Sequence, residues 1–189
     1  MTKVDRNPFR PDLLVGRTLL ITGGGTGLGR SMALKCAGLG AKVAIVGRRE
    51  EPLKATVADM ERAGGKATFA SCDVKDPGSV RAAFDSIEGS LGPINALINN
   101  AAGNFLCASE DLSDNAFDAV VKIVLYGTFN CTREIGRRLI ERKAEGHVLS
   151  VVTSYATTGS AFVLPSASAK AGVLAMMRSL AVEWATYGI

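Results

Sequence analysis

The segment Thr18-Leu-Leu-Ile-Thr22-Gly-Gly-Gly-Thr26-Gly-Leu-Gly29 contains the clearest fold signal of this chain. Its apolar start is typical of a buried strand, and the glycines after it let the backbone turn sharply into a helix. Such a turn lets a pyrophosphate approach the backbone and rest on the helix N-terminus. A plain tight turn is the alternative, because the glycine spacing differs from the common G-x-G-x-x-G. We expect a dinucleotide to contact Gly23, Gly25, Thr26, Gly27, Leu28 and Gly29.

Short apolar segments alternate with longer helical ones along the chain, a pattern typical of repeated β-α units and a parallel sheet. Strands are predicted at residues 18–21, 42–46, 66–71, 94–98 and 147–152, and helices at residues 27–39, 51–63, 77–90, 115–143 and 165–187. We predict a single α/β domain over residues 1–189, a doubly wound, three-layer sheet of the Rossmann type. Because the chain ends in a helix where another strand is due, we expect the last strands of the sheet to be missing.

The composition is that of a folded globular protein and argues against several functional classes. Hydrophobic residues make up 47% of the chain, and the net charge of +4 is modest. No basic run is interleaved with aromatics, so we expect no nucleic-acid partner. Four scattered cysteines and one histidine predict reduced thiols and no metal site. No leader peptide or membrane-spanning segment is recognisable, so we expect a cytoplasmic protein.

Two charged residues follow the second and third strands, where a bound dinucleotide places its adenosine. A site that selects NAD usually has an acid after the second strand. Here Gly47 leaves space and Arg48 offers a fork suited to a 2′-phosphate, so we expect NADP(H) rather than NAD. The alternative is a solvated arginine pair ahead of two glutamates. Asp73 could accept from the adenine amino group, or it could cap the turn before the third helix.

The sequence after the fourth strand, Asn99-Asn100-Ala101-Ala-Gly-Asn104-Phe105, contains small and amide residues. Small residues at the carboxyl edge of a parallel sheet allow a ligand to approach the backbone closely. We therefore expect Asn100 and Ala101 to contact the cofactor, with Asn104 and Phe105 facing its nicotinamide end.

A tyrosine and a lysine lie fifteen positions apart near the end of the chain. Pro165 suits the first turn of a helix, which places Ser166 and Lys170 on one helical face. Tyr155 is predicted to lie in a loop outside that helix. A phenol beside an ammonium group in a cleft can act as a proton donor. The alternative is a surface lysine and a half-buried tyrosine.

Taken together, the glycine turn, Asn99-Asn100-Ala-Ala-Gly and the Tyr/Lys pair resemble the short-chain dehydrogenase/reductase family. That family usually has Tyr-x-x-x-Lys, whereas Ser166 stands four residues before Lys170 here. The segments around Asn104, Glu134-Ile-Gly and Gly159–Gly172 resemble the NADPH-dependent 2,4-dienoyl-CoA reductases. The resemblance covers nearly the whole chain from Gly16 onward.

This resemblance implies a set of roles. Tyr155 would be the displaced acid, and Lys170 would bind the nicotinamide ribose and tune that acid. Asn104 would help to polarise a thioester carbonyl, with Ser166 as a nearby hydrogen-bonding group. Two further residues match positions that contact the acyl-CoA substrate. These are Phe105, which could instead be a core aromatic, and Ser113, which could instead cap the next helix.

One position of the long helix departs from the family pattern. Many members have asparagine where Tyr126 stands, and that asparagine helps to hold a water-mediated proton relay beside the lysine. Tyr126 would either pack against its neighbours or provide a second phenol near the site.

The expected function is hydride transfer from NADPH to a conjugated acyl-CoA thioester by a homotetrameric enzyme of fatty-acid β-oxidation. Two alternatives stay open at this point. One is another member of the family, acting on a 3-oxoacyl or 2-enoyl thioester, a sugar or a steroid. The other is an inactive cofactor-binding fragment.

Overall fold

A computed structural model describes residues 8–189. Five strands form one sheet: β1 (Thr18–Thr22), β2 (Lys42–Gly47), β3 (Lys66–Ser71), β4 (Ala96–Asn99) and β5 (His147–Ser150). All neighbouring strands are parallel, in the order β3-β2-β1-β4-β5. The chain therefore has the predicted Rossmann-type α/β architecture. The strand order changes direction between β1 and β4, where ligands bind in open α/β sheets.

Seven α-helices accompany the strands in the described part of the chain. They are α1 (Gly27–Ala37), α2 (Glu50–Arg62), α3 (Pro77–Leu91), α4 (Asp114–Val121), α5 (Gly127–Glu141), α6 (Tyr155–Thr158) and α7 (Leu164–Trp184). Short 3₁₀ turns lie at Ser109–Asp111 and Ala185–Tyr187, and a π-helical turn at Lys122–Tyr126 joins α4 to α5. None of the helices within residues 8–189 combines the length and apolarity needed to cross a bilayer.

Alternating side chains of the strands build a core on each face of the sheet. Leu19 and Ile21 of β1 point to one face, where they cluster with buried residues of α1 and α2 such as Met60. Leu20 points to the other face and clusters with α3 and α5 residues such as Phe84. The helices thus cover both faces of the sheet, which produces the predicted three layers.

Several predicted elements differ from the structure. The fourth strand begins two residues later than expected, because the Asn95 side chain accepts a hydrogen bond from the Thr18 backbone N–H at 3.1 Å. The fifth strand ends at Ser150 rather than at residue 152. The predicted helix over residues 115–143 is interrupted by the π-helical turn. Tyr155, predicted in a loop, begins the four-residue helix α6.

The four cysteines are all free thiols, as expected. Burial raises the pKa of the Cys36, Cys72 and Cys131 thiols, which keeps them protonated near neutral pH.

Candidate active site

The glycine-rich turn after β1 is packed too closely for side chains. Gly23 has a positive φ of 67°, a conformation that suits glycine. A Cβ on Gly29 would overlap the carbonyl oxygen of Gly23 and lie 2.6 Å from the Asn100 amide nitrogen. The backbone of the turn can therefore approach a ligand closely, at the N-terminus of α1.

The ends of β1 and β4 are tied together beside this turn. Thr22 Oγ1 accepts hydrogen bonds from the backbone N–H groups of Asn100, at 3.0 Å, and Ala101, at 2.9 Å. The Asn100 side-chain amide donates to the backbone oxygens of Thr22, at 2.9 Å, and Gly23, at 3.3 Å. This reciprocal arrangement fixes the floor of the site at the point where the strand order reverses.

A cleft of about 570 Å³ opens along the carboxyl edge of the sheet. It brings together most of the site residues that were predicted from the sequence. The nominated residues that line it are Gly23, Gly25, Thr26, Leu28, Arg48, Asp73, Asn100, Ala101, Asn104, Tyr155, Ser166 and Lys170. Gly27 and Gly29 shape the turn but do not line the cleft. The lining of the cleft extends from the glycine turn to Lys170, and an extended cleft of this kind fits a dinucleotide.

Arg48 and Arg49 line the β2 end of the cleft and are exposed. The two acids that follow them, Glu50 and Glu51, instead form ion pairs with Lys54, at 3.1 and 3.4 Å. Within residues 8–189, neither arginine forms an ion pair with a carboxylate. The Arg48 guanidinium is thus available to an anionic ligand group, and the exposed pair also matches the alternative of a solvated arginine pair ahead of two glutamates.

Of the two predicted roles of Asp73, the structure shows the local one, at the turn before α3. Its Oδ1 accepts a hydrogen bond from the Lys75 backbone N–H at 3.1 Å, which stabilises the turn before α3. The cap of α3 itself is Asp76, whose side chain accepts from the N–H groups of Gly78 and Ser79. Asp73 also lines the cleft, and its Oδ2 lies 3.4 Å from Lys75 Nζ.

Tyr155, Ser166 and Lys170 meet where the end of β5 approaches α7. Tyr155 Oη and Ser166 Oγ share a hydrogen bond of 3.1 Å. Lys170 Nζ donates to the backbone oxygen of Val151 at 2.5 Å. No hydrogen bond joins Tyr155 to Lys170 directly among the described residues. The serine at the position four before the lysine therefore holds the phenol, and the strand end holds the ammonium group.

Lys170 is 7% exposed, and burial lowers its pKa below the ordinary lysine value. Removing a charged ammonium group from water disfavours its protonated form. The Val151 carbonyl partly compensates for this cost by accepting a hydrogen bond. Lys170 is therefore a buried cation at the edge of a cleft, which is a common property of functional lysines.

Tyr126 takes neither of the two predicted roles. It lies at the end of the π-helical turn, its side chain is 57% exposed, and it does not line the cleft. Ile123, one turn earlier, lines the cleft instead. The extra residue in the π-helical turn rotates the following positions, so Tyr126 points away from the site.

The two predicted substrate residues lie outside the cleft lining. Ser113 is the N-cap of α4, where its hydroxyl accepts from the Ala116 N–H at 3.3 Å. The capping alternative is therefore observed. Phe105 is 38% exposed beside the lining residue Asn104, so it is not the core aromatic that the alternative described.

Several cleft residues were not identified from the sequence. They include Arg49, Ile123, Thr153 and Val151, whose carbonyl accepts a hydrogen bond from Lys170. Thr153 and Val151 follow β5 at the carboxyl edge, so the rule that found Asn100 could also have found them. Ile123 had no such signal, because its position depends on the interrupted helix.

A family model described as short chain dehydrogenase matches residues 17–189. The chain belongs to this family. An uncharacterised oxidoreductase of Caenorhabditis elegans is 49% identical over 181 residues, which are 95% of this chain and 58% of that protein. A protein of the same organism, named probable 2,4-dienoyl-CoA reductase, is 46% identical over 96% of this chain and 59% of its own length.

Solved structures of family members superimpose closely. A short chain dehydrogenase from Bacillus anthracis has a TM-score of 0.88 and 42% identity, covering 92% of this chain and 72% of that one. A gluconate 5-dehydrogenase from Burkholderia cenocepacia, solved with NADP and tartrate, has a TM-score of 0.89 and 30% identity. It covers 95% of this chain and 70% of that one. The chain spans less than two thirds of the length of the two C. elegans relatives.

Proposed function

We propose that this chain is a single dinucleotide-binding domain and that it belongs to an NADPH-dependent reductase of conjugated acyl-CoA thioesters, of the 2,4-dienoyl-CoA reductase type. The observation that carries the proposal is the hydrogen bond between Tyr155 and Ser166, with Ser166 four residues before Lys170. A carbonyl reductase needs its acid beside the carbon that receives hydride. In conjugate reduction the charge develops several atoms away, so a phenol displaced from the i−4 position suits that reaction.

The cleft supports NADP(H) as the cofactor. The glycine turn and α1 would hold its pyrophosphate, and Arg48 would bind the 2′-phosphate by charge-assisted hydrogen bonds. Asp73, Asn100 and Ala101 would contact the adenosine and nicotinamide parts. When bound, the cofactor supplies the hydride that reduces the diene. The gluconate 5-dehydrogenase that superimposes on this chain was solved with NADP.

The remaining residues would act on the thioester oxygen. Asn104 and Tyr155 would donate hydrogen bonds to that oxygen, where negative charge develops in the transition state. Ser166 would keep the phenol oriented through the bond of 3.1 Å. Lys170, fixed by the Val151 carbonyl, would bind the nicotinamide ribose. Addition of one hydride and one proton converts the dienoyl thioester to an enoyl-CoA.

We also propose a homo-oligomer, with a tetramer as the expected state. The outward face of α5 supports a protein contact, because Tyr126 and Phe129 are exposed there and Arg133 lies over the Phe129 ring at 5.0 Å. Exposed aromatics beside arginine are typical of interfaces. Sedimentation velocity tests this proposal, and a monomer at micromolar concentration would contradict it.

The proposed reaction is tested by following NADPH oxidation with matched thioesters. A 2,4-dienoyl-CoA is compared with a 2-enoyl-CoA and a 3-oxoacyl-CoA of equal chain length. We expect the dienoyl thioester to have the highest kcat/KM. A higher value for the 3-oxoacyl thioester would assign the protein to carbonyl reduction instead.

A further inference from the structure

An uncharged apolar rim borders the catalytic end of the cleft. It consists of Phe105 and Leu106, which follow the lining residue Asn104, and of Phe162 and Leu164, which precede the lining residue Ser166. All four side chains are exposed, with 76% of Leu106 and 59% of Phe162 accessible to water. Such a cluster of large apolar side chains on a surface usually marks a binding site.

The two halves of this apolar rim are held together by the backbone. The Cys107 N–H donates a hydrogen bond to the Phe162 carbonyl at 3.0 Å. Phe162 has a φ of +63°, a left-handed conformation that bulky residues rarely adopt. A backbone conformation of this kind persists where the surroundings hold it, and it is frequent at ligand sites. Here it presents an aromatic ring to solvent rather than to the core.

The charge distribution indicates which part of a substrate fits the apolar rim. No charged residue occurs from Gly89 to Ser109 or from Val148 to Ala169, the two segments that build it. The phosphates of coenzyme A need cationic partners, which these segments lack. A hydrocarbon chain needs none. The apolar rim also adjoins in sequence Asn104 and Ser166, the partner of Tyr155, where we propose that the thioester carbonyl binds.

From these observations we infer that Leu106, Phe162 and Leu164, with Phe105, bind the hydrocarbon tail of the acyl group and set a preference for longer chains. This inference rests on the proposed function, because the acyl chain starts at the thioester carbonyl. Burial of each additional methylene is worth about a fourfold change in affinity. Four additional methylenes that are partly covered should therefore change kcat/KM by about tenfold or more.

The experiment compares 2,4-hexadienoyl-CoA with 2,4-decadienoyl-CoA as substrates for NADPH oxidation by the protein and three variants. Phe162→Asn removes the ring and keeps the left-handed backbone, because asparagine tolerates that conformation. Leu106→Asn tests the opposite side of the apolar rim. Val182→Asn is the matched control, since Val182 is 82% exposed and lies about 18 Å along α7 from Lys170. Thermal unfolding of each variant reports on folding.

We expect the unmodified protein to prefer the ten-carbon substrate, and Phe162→Asn to lower kcat/KM for that substrate by about tenfold through KM. The six-carbon substrate should change less than twofold, and the control should change neither. Equal turnover of both chain lengths, or equal losses on both in Phe162→Asn and Leu106→Asn, would overturn the inference while leaving the proposed function intact. No turnover of either dienoyl thioester by the unmodified protein would instead contradict the proposed function.

Discussion

The turn that would hold the cofactor and the side chains that would perform the chemistry are built in different ways. Every residue of β1 is buried, and the turn after it is packed against the β4 end without room for a Cβ at Gly29. β5 is partly open, with Leu149 53% exposed, and Tyr155 and Lys170 are each held there by one hydrogen bond. We therefore expect the glycine turn, the first region, to be sensitive to added side-chain volume. We expect Tyr155 and Lys170, the second region, to be sensitive to the loss of single functional groups.

The sharpest test of the second region removes one oxygen atom. Tyr155→Phe keeps the ring but loses the hydrogen bond to Ser166, and with it the hydroxyl that we propose as the donor to substrate. Loss of a positioned acid lowers turnover by about 100- to 10,000-fold, so we expect a fall of about a thousandfold in kcat. Steady-state NADPH oxidation measures it, and cofactor titration should show nearly unchanged binding.

The control for this variant is Tyr187→Phe, because Tyr187 lies in the C-terminal 3₁₀ turn and is 50% exposed. Its turnover should equal that of the unmodified protein. Full activity of Tyr155→Phe would remove Tyr155 from the proposed mechanism.

The first region is tested by adding one methyl group. Gly29→Ala places a Cβ against the Gly23 carbonyl and the Asn100 amide, so the turn must move. Overpacking of this kind typically costs about 1–3 kcal/mol, and we expect NADPH affinity to fall by about a hundredfold. Calorimetric titration with NADPH measures the affinity, and chemical denaturation measures the free energy of unfolding.

Gly89→Ala is the matched control, since an added Cβ there meets nothing within 4 Å in α3. It should raise the free energy of unfolding by about 0.5–1 kcal/mol, because alanine favours the helix. If Gly29→Ala binds NADPH as well as Gly89→Ala does, close packing of the turn is not what shapes the cofactor site.

The β2 end of the cleft should show an intermediate effect. Arg48→Gln removes the guanidinium that faces the proposed 2′-phosphate. Hydrogen bonds to charged groups contribute about 1.5–3 kcal/mol, so the affinity for NADPH should fall by about tenfold or more. Affinity for NADH, which has no 2′-phosphate, should change less than twofold. Equal losses for both cofactors in parallel titrations would contradict selection by Arg48.

The smallest effect concerns the pH dependence of stability. Burial lowers the pKa of Lys170 in the folded state, so the unfolded chain binds more protons between that lowered pKa and the ordinary lysine value. Stability from this group therefore rises with pH across that window. The free energy of unfolding of the protein should increase relative to Lys170→Met as the pH is raised from 7 to 10. Urea denaturation measures this difference between the two proteins. If the difference is the same at every pH, Lys170 keeps an ordinary pKa in the folded state.

The local sequence was sufficient to predict an element when the residue pattern that indicates it lies within that element. The helix α2 was predicted within one residue of both observed ends, and the β3 bounds of Lys66–Ser71 were predicted without error. The cleft residues after β1, β2 and β4 follow from one rule, that parallel strands end at one edge of the sheet. The residue pattern did not reveal the π-helical turn at Lys122–Tyr126, because the turn joins α4 directly to α5 and the three were predicted as one long helix.

By itself, the sequence determined the β-α alternation, the parallel sheet and the glycine turn, because burial and backbone conformation restrict which residues fit those positions. The tertiary structure alone decided which side chains meet. It pairs Tyr155 with Ser166, and Lys170 with the Val151 carbonyl. These outcomes depend on how β5, α6 and α7 pack against one another, and contacts between distant segments are not encoded in the spacing of residues within either segment.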